Sequence, residues 1–216
     1  MLRLRLPALG LAAALVGWSL LSPRVPSPYR TPAQAAAGGL LALLTGAPLG
    51  FRAPQVWAGV RLGSTAAALV AATIAATTPV PKVRLSMSAR ELPVSVPGWL
   101  GWQIPVGTVW AEEAAFRGAL GDTAAKAFGP TRGRLLQAGV FGLSHIADAR
   151  AVGEPLLPVV LVTGAAGWVF GWLAERSGSL VAPILVHLAI NEAAAIAAIS
   201  VQRRTWDGSH DARSGA

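Results

Sequence analysis

Two adjacent glutamates, Glu112 and Glu113, lie inside an otherwise apolar stretch, and Arg117 follows four residues after the second. On a helix, Glu113 and Arg117 share one face and can form an ion pair that makes a buried carboxylate tolerable. Glu112 is rotated by about 100° from Glu113, because a helix has about 3.6 residues per turn. We therefore expect Arg117 to hold Glu113 as a structural element and Glu112 to face a cavity as a base. An interhelical ion pair without chemistry is the alternative.

Two of the chain's three histidines lie in other apolar stretches. His145 closes a short one, and Phe141, four residues earlier, shares its helical face and would help exclude water. Imidazole titrates near neutral pH and is a frequent general base. His187 and Asn191, again four apart, bring an imidazole and a carboxamide to one face of the last apolar stretch, where both can donate hydrogen bonds. The alternatives are a core histidine with satisfied hydrogen bonds and a His–Asn pair that joins helices.

Together these groups have the chemistry of acyl transfer. A base can activate water, and aligned donors can stabilise the oxyanion that develops on the attacked carbonyl. Ionisable side chains in a membrane-spanning helix cost a few kcal/mol each on insertion scales, so they usually face a protein interior or a water-filled cavity. Their spread over three separate apolar stretches predicts one site assembled from several helices.

The composition predicts that these stretches cross a membrane. Of 216 residues, 53% are hydrophobic and 13% are charged, and the mean hydropathy is +0.53. The length allows six to eight spans of about 20 residues each, so we expect an all-α polytopic transmembrane bundle of about six to eight helices. The net charge of +8 is scattered along the chain, and nucleic-acid binding is therefore not expected. The absence of cysteine excludes disulfides and thiol nucleophiles.

The apolar runs and the proline-rich stretches between them give the organisation of the chain. The predicted helices cover approximately residues 6–21, 33–49, 56–78, 97–126, 134–145, 156–174 and 180–201. Prolines in 22–32 end the first helix, and we expect that helix to be uncleaved rather than a signal peptide. We predict N-terminal transmembrane helices with an interfacial loop at 79–97 (residues 1–97), a core carrying the polar residues (98–201), and a disordered polar tail (202–216).

Three short motifs resemble those of a known family. EEAAFRG at 112–118 resembles EExxxR, FGLSH at 141–145 resembles FxxxH, and HLAIN at 187–191 resembles HxxxN. Each motif alone is weakly specific, but all three occur in order on separate apolar stretches. In this the chain resembles the CPBP intramembrane proteases, also called the Rce1-like or Abi family after the type II CAAX prenyl endopeptidase and bacterial bacteriocin self-immunity proteins. The resemblance covers about residues 99–201.

The resemblance implies an intramembrane, CAAX-protease-like endopeptidase that hydrolyses a peptide bond of a membrane-associated or lipid-anchored protein or peptide. It also implies an α-helical fold with a conical cavity inside the bilayer. By this likeness, Glu112 and His145 would activate the attacking water, and His187 and Asn191 would stabilise the oxyanion. The second glutamate and the arginine of the first motif would support the site.

The cofactor and partners follow from the same resemblance. Metal-dependent chemistry has also been described for the family, but no HExxH pair occurs here. We therefore expect a metal-independent, glutamate-activated water, with Zn²⁺ held by Glu112, His145 and His187 as the alternative. The expected partners are a membrane protein or peptide substrate and the lipid bilayer, in a multi-pass protein of the cell membrane. Two alternatives to an endopeptidase are a non-catalytic immunity or scaffold protein that binds a partner through the same cavity, and a small transporter.

Overall fold

The computed structural model describes the backbone of residues 2–214 and the side chains of residues 4–204. Within these residues the chain forms eight helices and no strand, which confirms the predicted all-α bundle. The helices are α1 (Leu2–Leu21), α2 (Ser27–Thr45), α3 (Gln55–Thr77), α4 (Pro81–Ser88), α5 (96–128), α6 (Pro130–Ser144), α7 (Leu156–Ser177) and α8 (Val181–Ser214). A 3₁₀ turn at Ser22–Arg24 and a short helical turn at Ile146–Ala151 connect neighbouring helices.

By length and composition, four helical segments of the described chain can cross a bilayer. They are Leu4–Arg24, Gln55–Thr77, Leu156–Ser177 and Val181–Arg204. The eight helices of the described chain agree with the predicted six to eight, and these four meet the length and composition of a membrane span. α6, by contrast, has 15 residues and extends about 22 Å, whereas the hydrocarbon core is about 30 Å thick.

The helix that carries the two glutamates changes its winding along its length. Within α5, the α-helical pieces Val96–Gly98 and Gly121–Phe128 enclose two π-helical pieces, Trp99–Trp110 and Glu113–Leu120. Pro105 lies in the first π-helical piece, and a proline inside a helix removes one backbone donor from the ladder. π-Helical turns are rare in proteins, and those that occur are often found at functional sites. The sequence had predicted an ordinary α-helix here.

The buried core lies where α1, α5, α6, α7 and α8 meet. α3 packs along α8, α6 packs along α7, and α2 packs against both π-helical pieces of α5. The core is formed by apolar side chains from all five helices, which include Leu15, Phe116, Leu120, Phe141, Phe170, Leu173 and Val186. The site residues of α5, α6 and α8 therefore lie on helices that meet in this core.

A close approach of α2 to α5 fixes the backbone beside Glu112. A Cβ atom added at Gly38 would collide with the backbone carbonyl oxygen of Ala111, whereas one added at Gly39 would meet only the Trp110 ring, at 3.5 Å. We expect Gly38→Ala to lower the stability by about 1–3 kcal/mol, because backbone atoms cannot yield as a flexible side chain does. Thermal unfolding in detergent measures this, with Gly39→Ala as the matched control. Equal unfolding temperatures for the two variants would contradict the close packing.

Three predictions about the connecting segments need correction. The connector at 22–32 is shorter than predicted, because α2 begins at Ser27 with Pro28 in its first turn, where a missing N–H costs no helical hydrogen bond. The interfacial loop at 79–97 contains α4, which begins with Pro81 in its first turn for the same reason. The predicted disordered tail is helical through Ser214, because extending an existing helix avoids the cost of nucleation. Residues 215 and 216 of that tail lie outside the described residues.

α8 is also anchored where the predicted tail begins. The Gln202 side-chain amide donates hydrogen bonds to the backbone carbonyls of Met87 and Arg90, at 3.0 Å and 2.7 Å. These contacts connect α8 to the last turn of α4 and to the segment after it. The domain boundary between residues 97 and 98 stays a prediction.

Candidate active site

A cavity of about 580 Å³ receives side chains from all three motifs. Its lining includes Glu112 from α5, His145 from the end of α6, and His187 with Asn191 from α8. Helices α2 and α7 form other parts of the wall. The bundle therefore brings four of the six predicted site residues to one cavity. The other two belong to a fully buried ion pair.

Glu113 and Arg117 form that ion pair. Arg117 Nη1 lies 3.1 Å from Glu113 Oε1, and both side chains are fully shielded from solvent. The four-residue spacing still joins them although the helix is π-wound here. A buried carboxylate is tolerable when a cation and hydrogen bonds compensate its charge.

The buried carboxylate also binds an imidazole from another helix. His187 Nδ1 donates to Glu113 Oε1 at 2.7 Å, and His187 Nε2 lies 3.8 Å from Glu112 Oε2. The Phe170 ring stacks on the imidazole, with 5.0 Å between the ring centroids and 27° between the planes. Because Nδ1 is hydrogen-bonded to Glu113, Nε2 is the ring nitrogen available to Glu112 and to the cavity. It can accept a proton, and it can donate once it carries one.

His145 is held by the end of its own helix. It caps α6, and its Nδ1 lies 2.8 Å from the backbone carbonyl oxygen of Phe141. Since a carbonyl only accepts hydrogen bonds, Nδ1 is the donor, and in the neutral ring Nε2 is then the basic nitrogen. The Phe141 ring meets the imidazole edge to face, with centroids 4.7 Å apart. This contact covers one side of the ring.

Asn191 lies one turn after His187 on the same helix. Its Nδ2 donates to the His187 backbone carbonyl at 3.1 Å, and its side chain lines the cavity. The amide group has a second N–H and a carbonyl oxygen besides. The spacing of the HxxxN motif thus places an imidazole and an amide on the same side of α8.

Two phenylalanines enclose the arginine of the ion pair. The Arg117 guanidinium carbon lies 3.9 Å from the centroid of the Phe141 ring and 4.8 Å from that of Phe170. Cation–π contacts of a desolvated guanidinium are worth about 2 kcal/mol. Phe170 was not predicted as a site residue. The sequence hint was its position beside Gly171 and three residues after Gly167, on a helix rich in small residues.

Several polar residues of the cavity wall were also missed. They lie outside the three motifs, and helical spacing was the signal that could have pointed to some of them, because Arg30 and Gln34 are four residues apart and Asp148 follows His145 by three residues. Those on the wall include Arg30, Thr31, Gln34, Gln103, Thr108, Asp148 and Thr163.

The candidate metal ligands line one cavity. Among the residues whose side chains are described, no group of three or more His, Cys, Asp or Glu side chains is placed to hold a metal ion. Within the set of Glu112, His145 and His187, each histidine has its Nδ1 in a hydrogen bond with a protein oxygen, which leaves Nε2 as the nitrogen that could bind a metal. Metal independence therefore stays a prediction, and no step below is assigned to a metal.

Comparison with known proteins identifies the segment that contains all three motifs. Residues 95–193 match the family model for "Type II CAAX prenyl endopeptidase Rce1-like". No curated protein and no solved structure matches the chain. The match begins just before α5 and ends two residues after Asn191. It therefore includes every motif residue that lines the cavity. Together with the four helices able to cross a bilayer, the match indicates an integral membrane protein whose residues 95–193 are similar to the Rce1-like type II CAAX prenyl endopeptidase family, in agreement with the resemblance of the three motifs to the CPBP proteases.

Proposed function

We propose that the protein is an intramembrane endopeptidase that hydrolyses a peptide bond of a membrane-associated or lipid-anchored protein or peptide. The observation that carries this proposal is the cavity in which Glu112, His145, His187 and Asn191, from three helices, line one space. A carboxylate, a basic imidazole nitrogen and hydrogen-bond donors are the groups that peptide hydrolysis by water requires.

In the proposed reaction, a water molecule in the cavity loses a proton to Glu112, assisted by His145, and its oxygen attacks the carbonyl carbon. The negative charge on the carbonyl oxygen is stabilised by the Nδ2 donor of Asn191 and by His187 Nε2 when that atom is protonated. The tetrahedral intermediate then collapses, the carbon–nitrogen bond breaks, and the proton passes to the leaving amine. The products are a new carboxylate and a new amine.

The buried ion pair has a positioning role in this proposal. Glu113 fixes the tautomer and orientation of His187 through the contact at Nδ1, much as a carboxylate orients the histidine of other hydrolases. Arg117 in turn holds Glu113. Neither residue needs to touch the substrate.

An apolar cavity next to the first one supports a lipid-anchored or strongly apolar substrate. This second cavity, of about 380 Å³, shares six lining residues with the first, among them Glu112, His145 and Asp148. Its apolar wall comes from α1 and α2 and includes Leu11, Leu15, Trp18, Leu40 and Leu41. A substrate with its scissile bond at Glu112 can therefore place an apolar group between α1 and α2. The location of the protein in the cell membrane stays a prediction.

Cleavage of a panel of membrane-tethered peptides by purified protein in nanodiscs tests the proposal. We expect cleavage by the wild type that survives exhaustive chelation, because the proposed base is a carboxylate and not a metal-bound water. Loss of cleavage on chelation, with recovery on adding Zn²⁺, would instead support the metal alternative. A folded wild type that cleaves no peptide of the panel would favour the immunity or scaffold function.

A further inference from the structure

A separate cavity lies where the last turns of α3 and α8 meet α4. It has a volume of about 430 Å³, which is within the range of about 300–1,000 Å³ that is usual for ligand sites. It shares no lining residue with the two cavities at Glu112. We call it the α3–α8 cavity.

The wall of this cavity changes from apolar to basic along the two long helices. The apolar part consists of alanine and isoleucine side chains, which are Ala71, Ile74 and Ala75 from α3 and Ala193, Ile196 and Ala197 from α8. Further along both helices follow the hydroxyl groups of Thr78 and Ser200, and then Arg204 together with Arg84 of α4. No lining residue is acidic. The cavity therefore presents an apolar surface at one end and two positive charges at the other.

The basic end of the cavity lies where two candidate membrane spans end. A Cβ atom added at Gly59 would lie 2.9 Å from Cβ of Ser179, and one added at Gly63 would lie 2.8 Å from Cα of Ala182. The first turns of α3 and α8 are thus neighbours, and the two helices run in the same direction. Their candidate spans, Gln55–Thr77 and Val181–Arg204, have nearly equal lengths of 23 and 24 residues. Both spans therefore end at the same face of the bilayer.

Helix α4 lies at the same level as these two ends. It begins four residues after the end of the α3 span, and its eight residues extend about 12 Å, which is too short to cross a bilayer. It carries two exposed cations, Lys82 and Arg84. The Gln202 side chain holds its last turn beside the last turn of the α8 span. A short basic helix at the end of two spans is typical of the boundary between hydrocarbon and lipid headgroups.

The two arginines of the cavity are available to a ligand from the bilayer. Both Arg84 and Arg204 are exposed, and no ion pair among the residues with described side chains involves either of them. Guanidinium groups match the geometry of phosphate oxygens. Next to them, Ile196 is 53% exposed, so the apolar wall is open to lipid chains.

We propose that the α3–α8 cavity binds an anionic phospholipid of the surrounding bilayer. Its phosphate lies between Arg84 and Arg204, and the first part of one acyl chain lies along the alanine and isoleucine wall. A free phosphate would leave this wall without contacts, and a lipid without net charge would leave two positive charges uncompensated. Basic pockets between membrane helices are known to take anionic headgroups. This binding does not depend on the peptidase activity.

Binding of two lipids to the delipidated full-length protein in detergent tests the proposal. The lipids are dioctanoyl phosphatidylglycerol, which is anionic, and dioctanoyl phosphatidylcholine, which has the same chains and no net charge, and microscale thermophoresis gives their dissociation constants. We expect tighter binding of the anionic lipid. Replacing both Arg84 and Arg204 by glutamine should weaken its binding about 30-fold, since each basic residue near an anionic lipid contributes a factor of about five.

A matched double variant separates the cavity from general attraction between charges. Lys82→Gln with Arg203→Gln removes the same charge from the same two helices, at exposed residues that do not line the cavity, and should weaken binding much less. Ala75→Phe, an exposed change on the apolar wall, should weaken binding without changing charge, because the ring takes the place of the acyl chain. Should the arginine double variant fail to fold, Arg84→Gln and Arg204→Gln alone should each weaken binding about fivefold.

Four results would overturn the proposal. The first is equal affinity of the wild type for the two lipids, and the second is equal weakening of binding in the two double variants. The third is displacement of the anionic lipid by inorganic phosphate at constant ionic strength, which would identify a site for the free anion. The fourth is unchanged binding in Ala75→Phe, which would show that no acyl chain lies along the apolar wall.

Discussion

Replacing Glu112 by glutamine is expected to reduce peptide cleavage by about 100-fold to 10,000-fold, the range that a general base contributes. The amide has almost the same shape as the carboxylate but cannot take a proton from water. Glu112 is partly exposed, with 28% of its side chain accessible, so its replacement does not strip a charge from the core. Initial rates of cleavage in nanodiscs, with the unfolding temperature measured alongside, give the result.

Glu154→Gln is the matched control for this prediction. Glu154 is an exposed glutamate before α7, and the same chemical change there should leave both the rate and the unfolding temperature unaltered. Normal turnover by a folded Glu112→Gln protein would remove Glu112 from the mechanism. Glu112→Ala should lose as much activity as Glu112→Gln, because in both variants the proton acceptor is gone.

The polar pairs of the site follow from helical spacing, and for this reason they could be predicted. Glu113 with Arg117 and His187 with Asn191 are both four residues apart, and each pair lies on one side of its helix. The contact between Glu113 and His187 could not be predicted, because the residues are 74 positions apart. That contact depends on how α5 packs against α8, which no local pattern encodes.

The ring contacts illustrate the same limit. Phe141 was recognised because it stands four residues before His145, whereas Phe170 has no polar neighbour at helical spacing. Yet Phe170 stacks on His187 and covers Arg117. Its role depends on the close approach of α7 to α6, where a Cβ added at Gly167 would lie 2.9 Å from a carbon of the Phe141 ring. An apolar residue in an apolar span gives no hint of such a role.

For the fold, hydropathy predicted the positions of the helices better than their hydrogen-bonding pattern or the residues at which they end. The runs at 56–78 and 156–174 correspond closely to Gln55–Thr77 and Leu156–Ser177. The π-helical pieces of α5 were missed, because the extra residue per turn changes backbone pairing without changing composition. The polar tail was predicted as disordered from composition alone, which does not register that a helix already formed extends at little cost.

Replacing Arg117 by methionine is expected to destabilise the protein by about 3–5 kcal/mol, because the change leaves the Glu113 carboxylate buried without its cation. The loss of the contacts with Phe141 and Phe170 acts in the same direction. For a chain of this length, this lowers the unfolding temperature by roughly 6–20 °C. Thermal unfolding in detergent gives the value. Activity should fall in parallel, because Glu113 then loses the group that positions it against His187.

A second ion pair on α5 serves as the control, because it distinguishes the loss of a buried cation from the loss of an exposed one. Asp122 and Lys126 also form a pair four residues apart, but the Lys126 side chain is 58% exposed, and such pairs contribute about 0.3–0.5 kcal/mol. Lys126→Met should therefore leave the unfolding temperature nearly unchanged. The double variant Glu113→Gln with Arg117→Met should be more stable than Arg117→Met alone, since it removes the buried charge together with its partner. The single variant Glu113→Gln completes the comparison. If the stability losses of Glu113→Gln and Arg117→Met simply add in the double variant, Glu113 does not depend on Arg117, and its carboxylate must be compensated by His187 alone.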